Sequence, residues 1–139
     1  MSFEIVEPGS FEPVAALAEG EVSIGRRGVL LARAADLELV GIGNYSIILA
    51  DTSGTLRLAL RAVRDGEQRQ SVACGVVTRK GGADSGRRRI NVVRAIKKLS
   101  LTPEACAGRY QLTVKGEGQA GMLILLLTGE QLTGKEAKT

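Results

Sequence analysis

Short apolar runs that alternate with polar residues, separated by glycines, make up the stretch from residue 22 to residue 60. The alternation in Glu21–Ile24 predicts a β-strand, and the apolar run at 29–31 predicts a second one. Between them, Gly25 and Gly28 flank two arginines, which is the composition of a tight connection. This part of the chain therefore begins with a predicted two-stranded hairpin.

A helix and a second hairpin are predicted to follow. Leu30, Ala34 and Leu37 recur at the i, i+4, i+7 spacing of one helical face, which predicts a helix over 32–39 that ends at Gly41. The next two segments are rich in β-forming residues and are joined by an acidic turn that contains glycine. These segments predict strands at 44–50 and 55–60.

A fainter copy of this pattern occupies residues 87–127. It predicts a strand or helix start at Ile90 and a helix that continues to Leu101. An insert at 61–86 separates the two copies and has no partner in the first. Further strands are predicted at 71–78, 110–115 and 122–127. The positions that match between the copies are Val29/Ile90, Leu31/Val92, Arg33/Arg94, Ala34/Ala95 and Tyr45/Tyr110.

The pattern as a whole predicts a mixed β fold with short helices, of the α+β class. Two β-β-α-β-β units that cannot bury their apolar faces alone are expected to interlock about a pseudo-two-fold axis into a barrel-like single domain. That domain covers 21–127, with the first repeat at about 22–60 and the second at about 87–127. Residues 1–20 are interpreted as an acidic N-terminal arm and 128–139 as a C-terminal tail.

The first unit resembles a known class of DNA-binding domains. The resemblance lies in the run VSIGRRGVLL from Val22, the short helix, Gly41-Ile42 and the closing strand LRLAL from Leu56. These features are similar to the swapped-hairpin domain of AbrB, SpoVT and MraZ-type bacterial regulators, and the second copy shares them more weakly. The resemblance implies that one chain supplies both halves and that arginines around the first strands bind DNA. Cradle-loop and double-psi barrels share the same β-α-β elements and remain an alternative.

Composition narrows the chemistry that this chain can perform. Aromatic residues make up 3% of the chain and histidine is absent, which disfavours base-stacking surfaces and removes the usual metal ligand and general base. Cys74 and Cys106 lie outside any metal-ligand spacing, and buried reduced thiols are expected. We therefore predict that the protein is not an enzyme and needs no cofactor or metal. The residues considered for catalysis are Ser85, Asp84, Asp51 and Cys106.

A glycine-rich run at 116–121 matches the pattern G-x-G-x-x-G of dinucleotide-binding proteins. Too few residues follow it to form the helix, second strand and acidic residue of such a unit, so we expect a hairpin loop. No small-molecule substrate is indicated. The longest apolar run, at 122–127, is far shorter than the ~20 residues that span a bilayer, so a cytoplasmic protein without membrane association is predicted.

Positive charge is concentrated in the middle of the chain. The net charge is +4, but residues 66–99 contain nine Lys or Arg against two acidic residues, whereas 1–20 contain four glutamates and no base. The three arginines from Arg87 are predicted to lie at a helix start, where cations indicate either an anion site or solvated charge. The candidate nucleic-acid contacts are Arg26, Arg27, Arg87, Arg88, Arg89, Arg94, Lys97 and Lys98.

Two functions are compatible with these patterns. The first is a small nucleic-acid-binding protein, a duplex DNA-binding regulator whose basic turns contact phosphates; turns on one face would hold both sides of a groove. The alternative is a non-catalytic self-assembly or protein-interaction module, a homo-oligomer whose exposed β edges pair with other copies. In that case the charges form a solvated face and serve solubility.

Overall fold

The computed structural model describes residues 17–53 and 56–127. The described residues are mostly β, with 44% of them in strands, and include a few short helices. Within the described residues the strands are β1 Glu21–Ile24, β2 Val29–Arg33, β3 Tyr45–Asp51, β4 Arg57–Arg61, β5 Val72–Thr78, β6 Asp84–Asn91, β7 Gly108–Gln111, β8 Thr113–Lys115 and β9 Met122–Leu126. The helices are α1 Ala34–Glu38, α2 Val93–Lys98 and α3 Pro103–Cys106.

The strands form a nearly closed, antiparallel, barrel-like sheet in the order β7-β1-β2-β6-β5-β3-β4-β9-β8. β7 and β8 are consecutive in sequence and are separated by Leu112 alone. β7 pairs with β1, and β8 pairs with β9, so a single residue joins the two ends of the sheet. The Leu112 N–H also donates a 2.7 Å hydrogen bond to the carbonyl of Gly20, just before β1.

Aliphatic side chains from the sheet and the helices fill the interior. Leu30 of β2 and Ile90 of β6 lie directly opposite each other and are completely buried. Leu37 of α1 and Ile96 of α2 are buried in the same core. Tyr110 of β7 is among the largest buried side chains, and its hydroxyl donates a 2.6 Å hydrogen bond to the last carbonyl of α3. Burial of aliphatic surface therefore supplies most of the stabilisation.

The strand pairings follow the same pattern around both hairpins that precede a helix. β1 pairs with β2, which leads into α1, and β5 pairs with β6, which leads into α2. On their other sides, β1 pairs with β7 and β5 pairs with β3. β2 also pairs with β6, and β4 pairs with β9. Strands from the first half of the chain are therefore interleaved with strands from the second half.

The predicted mixed β fold with short helices is confirmed, but several boundaries differ. The helix predicted over 32–39 is limited to Ala34–Glu38 because β2 continues to Arg33. The residues from Arg87 onward, predicted to lie at a helix start, belong to β6, and α2 begins only at Val93. Antiparallel pairing with β2 on one side and β5 on the other holds this segment extended.

The matched positions of the two predicted copies do not share the same faces. Val29 lies on the partly exposed side of β2, whereas Ile90 is completely buried; the buried residue opposite Ile90 is Leu30. Because side chains alternate across a strand, a shift of one residue exchanges the two faces. The matched tyrosines also differ in environment, since Tyr45 is 56% exposed while Tyr110 is 2% exposed.

Gly28 closes the turn between β1 and β2 in a conformation that other residues rarely adopt. Its φ is +82°, and a Cβ at this position would lie 2.4 Å from Cγ2 of Val93. Gly28→Ala should therefore lower the free energy of unfolding by about 1–3 kcal/mol, through backbone strain and steric overlap. Gly43→Ala is the matched control, because no atom lies within 4 Å of the position that its Cβ would occupy and its φ is not in the left-handed region. Urea unfolding of both variants measures the difference, and equal losses would contradict the prediction.

A bidentate ion pair fastens the segment that follows β4. Arg61 is 9% exposed, and its two terminal nitrogens each lie 2.7 Å from a carboxylate oxygen of Glu67. Glu67 also accepts a 2.9 Å hydrogen bond from the backbone N–H of Arg64. The hydrogen bonds from Arg61, and then that from Arg64, lower the pKa of Glu67 to about 2. The ion pair therefore joins this segment to the edge of the core.

This lowered pKa predicts an acid-dependent loss of stability. A carboxylate whose pKa is depressed by folding stabilises the native state above its ordinary pKa, and that contribution disappears as the pH falls. For Glu67 the loss should extend from about pH 4.5 down to about pH 2. The urea midpoint of Glu67→Gln should change less across this window than that of the unaltered protein. Glu38→Gln, on the exposed side of α1, should retain the full acid dependence; if Glu67→Gln does too, the ion pair is not its source.

Candidate nucleic-acid interface

The three consecutive arginines of β6 do not form one cluster. Arg87 lies opposite Arg33 of β2, whereas Arg88 lies opposite Ala32, which is completely buried. Because successive side chains of a strand point to opposite faces, Arg87 and Arg89 share the outer side of the sheet and Arg88 lies on the inner side. The predicted combination of these charges with a helix start is therefore wrong, since the strand continues beyond them.

Arg88 has a carboxylate partner within the fold. Its Nη1 lies 2.9 Å from Oδ1 of Asp84 and its Nη2 lies 3.1 Å from Oδ2, and its side chain is 19% exposed. The hydrogen bond from Arg88 is the main reason why the pKa of Asp84 is lowered. Arg88 is therefore a weaker candidate for a phosphate contact than Arg89, which has no carboxylate partner among the described residues.

We use the name outer face for the surface of β2 and β6 formed by Leu31, Arg33, Arg87 and Arg89. Arg89 is exposed and lies opposite Leu31 on one side and Gly75 of β5 on the other. Gly75 has no side chain, and the Arg89 guanidinium approaches to within 3.8 Å of the position that a Cβ would occupy. Arg89 forms no ion pair with any described residue. Among the described residues, no carboxylate therefore neutralises its charge.

Basic connections lie at the two ends of the outer face. The carbonyl of Gly28 accepts a 2.9 Å hydrogen bond from the N–H of Val92, which holds the turn carrying Arg26 and Arg27 beside the end of β6. The loop at 79–83, which contains Arg79 and Lys80, lies at the other end of that strand. β6 has eight residues, so the seven steps between its first and last residues span about 24 Å at ~3.4 Å per step. The basic connections thus occupy opposite ends of one strand, with the β6 arginines between them.

The three cations of α2 separate into two groups. Arg94, Lys97 and Lys98 are all exposed, as predicted, while Ile96 is buried. Arg94 and Lys98 line a cleft between α2 and β3 that we call the α2 cleft, and Arg69 lines it too. Lys97 does not. Arg69 was not among the predicted contacts, because only the folded chain brings the segment before β5 next to α2.

Two further arginines that were not among the predicted contacts lie beside Arg87. Arg33, Arg79 and Arg87 line a second cleft, of about 480 Å³, which we call the arginine cleft. Nη1 of Arg33 lies 3.9 Å from Oδ1 of Asp36, whose side chain is 4% exposed, and no described carboxylate lines the cleft itself. The pairing of β2 with β6 brings these charges together, and no local sequence signal reports it.

The polar residues considered for catalysis are held by neighbouring groups. Asp51 accepts hydrogen bonds from Ser53 and from Arg57, and these bonds, those from Ser53 first, lower its pKa to about 2. The Ser85 hydroxyl donates to a backbone carbonyl of β5. Asp84 is paired with an arginine, as described above. Each side chain therefore has a structural partner that accounts for its position.

Both cysteines are buried and free, as predicted. Burial raises the pKa of the Cys74 thiol to about 11, and burial also raises the pKa of the Cys106 thiol. A thiol with a raised pKa contains little of the thiolate that acts as nucleophile or metal ligand near neutral pH. Packing accounts for both residues.

No protein-family model matches this chain, and neither a curated protein nor a solved structure matches it. In the part of the chain that the structure describes, no helix is both long and apolar enough to cross a membrane. In the same part, no group of three or more His, Cys, Asp or Glu side chains is placed to hold a metal ion. The charge and geometry of the outer face are therefore the main indication of function.

Proposed function

We propose that this protein binds duplex nucleic acid, with DNA as the expected partner, through the outer face of β2 and β6. The observation that carries the proposal is the position of Arg89, which is exposed and has no ion-pair partner among the described residues. Arg87 lies two residues away on the same side of β6. Arg26 and Arg27 extend the positive surface at one end. Clustered cations of this kind supply the salt-dependent attraction to phosphates.

The length of this surface agrees with a duplex partner. The ~24 Å between the two basic connections corresponds to about seven base-pair steps at ~3.4 Å each. Arg26 and Arg27 would contact phosphates near one end of such a site, and Arg87 and Arg89 would contact phosphates nearer its middle. Contacts of this type fix the position of a protein on a duplex but read no sequence by themselves. The proposal therefore concerns backbone binding.

We further propose that the chain is a tandem duplication in the manner of the swapped-hairpin regulators that its first unit resembles. The equivalent pairings of β1 with β2 and of β5 with β6 support it. In this proposal β5 takes the place of β1, so the second copy begins near Val72 rather than at Arg87. The loop at 79–83, with Arg79 and Lys80, then corresponds to the turn with Arg26 and Arg27. Both ends of the outer face would thus carry an equivalent basic connection.

Titration of a fluorescently labelled duplex by anisotropy at several salt concentrations tests the proposed function. If four arginines each neutralise one phosphate, log K should fall with log salt with a slope of about −4. Absence of binding at low salt, or an affinity that does not change with salt, would overturn the proposal. A labelled single strand in the same assay shows whether the surface prefers duplex geometry.

A protein-interaction or self-assembly module is the second candidate, and the exposed β8 strand favours it. All three residues of β8 are exposed, and Val114 at its centre is 46% exposed. Leu39, which is 53% exposed, lines the same groove as Val114. Apolar residues on an exposed strand can pair with another chain. Sedimentation with and without DNA separates the candidates, since an oligomer that grows with protein concentration and ignores DNA would favour the module.

A further inference from the structure

The barrel-like sheet is open between β3 and β5. These strands pair only at Tyr45 and Ser46, although β3 continues to Asp51. α2 packs against β3 beyond this point, and the α2 cleft occupies the space between them. Its volume is about 600 Å³, within the ~300–1,000 Å³ that is typical of small-molecule sites.

Three cations from separate segments converge on the α2 cleft. Arg69 lies before β5, whereas Arg94 and Lys98 lie one helical turn apart on α2. All three are exposed, and none forms an ion pair with a described residue. No described carboxylate lines the cleft. Like charges gathered in a concave site without a counter-charge attract anions, and arginine pairs particularly well with phosphate oxygens.

Part of the wall of the α2 cleft is apolar. Ile48, Ala50, Val72 and Ala95 all line it, and all four are partly buried hydrophobic residues that pack against the core. They make up more than half of the partly buried hydrophobic residues in contact with the core of the described chain. The cleft is therefore the main place where apolar surface continuous with the core is left uncovered beside cations.

We propose that the α2 cleft binds a small organic phosphate, with its phosphate on Arg69, Arg94 and Lys98 and its apolar or planar part on Ile48 and Val72. A nucleoside monophosphate has this chemistry. The same phosphate chemistry is present in a nucleic-acid strand, and the experiment below separates the two sources. An acidic peptide added as a strand to the open edge of β3 is less favoured, because α2 packs against that edge and covers part of it.

Titration of the full chain with AMP, followed by backbone amide NMR shifts, tests this proposal. Saturable shifts should appear at 48–50, 71–72 and 91–95. Arg69→Ala and Lys98→Ala should each weaken AMP binding about tenfold, the effect of one charge-assisted contact. The matched controls are Lys97→Ala on the same helix and Arg64→Ala in the same connecting segment, because both residues are exposed and neither lines the cleft. Each control should change AMP binding by less than about twofold.

Adenosine and inorganic phosphate test the two parts of the site separately, and both should bind more weakly than AMP. The proposal is overturned if AMP causes no saturable shifts, if Lys97→Ala weakens AMP binding as much as Lys98→Ala, or if inorganic phosphate binds as tightly as AMP. A poly-glutamate peptide that displaces AMP and binds more tightly would also overturn it. A different result is that an unlabelled duplex displaces AMP and itself binds more weakly to the Arg69→Ala variant. That result would assign the cleft to a nucleic-acid strand and overturn the proposal of a free organic phosphate. Arg89→Gln should leave AMP binding unchanged, so this test is independent of duplex binding by the outer face.

Discussion

Replacing Arg87 and Arg89 together by glutamine should lower the affinity for a DNA duplex by about 10- to 100-fold at low salt. Each residue would lose one contact to a phosphate, and a typical solvent-exposed hydrogen bond contributes about 0.5–1.5 kcal/mol, so two such contacts correspond to about 10- to 100-fold in affinity. The salt slope should become shallower by about 2, because about 0.9 of a counterion is released per phosphate neutralised. Glutamine retains the length and polarity of the side chains on the outer face. Anisotropy titrations across a salt series measure both quantities.

Two matched controls define what this result means. Arg57→Gln with Lys115→Gln removes the same net charge from β4 and β8, which are remote from β2 and β6 in the strand order, and should change duplex affinity by less than about threefold. Arg88→Gln should destabilise the fold, because it leaves Asp84 without its partner, yet should leave duplex affinity nearly unchanged. If these controls reduce binding as much as the outer-face variant, net charge rather than the outer face determines affinity.

The largest loss of stability is expected from truncating the core at the contact between β2 and β6. Leu30 is completely buried and lies directly opposite Ile90, so Leu30→Ala should lower the free energy of unfolding by about 2–5 kcal/mol through lost transfer free energy and the cavity left behind. Leu31 is its neighbour on the outer face and is only partly buried. Leu31→Ala should therefore cost less than about 1 kcal/mol.

Urea unfolding followed by circular dichroism measures this pair under one set of conditions. The ratio of the two losses reports the register of β2, because a shift of one residue would bury Leu31 and expose Leu30. Equal losses, or a larger loss for Leu31→Ala, would contradict the register described above. If the slope of the unfolding free energy against urea concentration is the same in both variants, their denatured states are equally exposed and the two losses can be compared directly.

Local pattern is sufficient to predict most of the strands. The alternation in Glu21–Ile24 and the glycines at 25–28 define the first hairpin correctly. Strand β6 in the second copy is harder to predict. The residues from Arg87 to Arg89 are all polar, so no alternation of polar and apolar positions shows which side chains point toward the core. Only the pairing with β2 decides that Arg88 points inward and Arg89 outward. The same pairing extends β6 to Asn91, whereas the pattern leaves open whether a strand or a helix begins at Ile90.

The candidate site is predictable in its charge but not in its grouping. The excess of cations in the middle of the chain points to Arg89 and to the cations of α2, all of which are exposed in the structure. The grouping of Arg33 with Arg79 and Arg87 depends on contacts between strands distant in sequence. The placement of Arg69 beside α2 likewise depends on where β3 and β5 diverge. These arginines become neighbours only in the tertiary structure, so the pattern of residues along the sequence does not show that they are close together.

The closure of the sheet through Leu112 has a consequence for how the chain folds. Glu21 at the start of β1 forms a 3.2 Å ion pair with Arg109 of β7, a partner 88 residues away. β1 therefore lacks one of its two neighbours until the Gly108–Gln111 segment has been synthesised. Contacts over such separations slow folding, because loop closure must precede the contacts that compensate for it. We expect one slow cooperative transition that requires both halves of this sheet, since neither half contains a sheet that can close without the other.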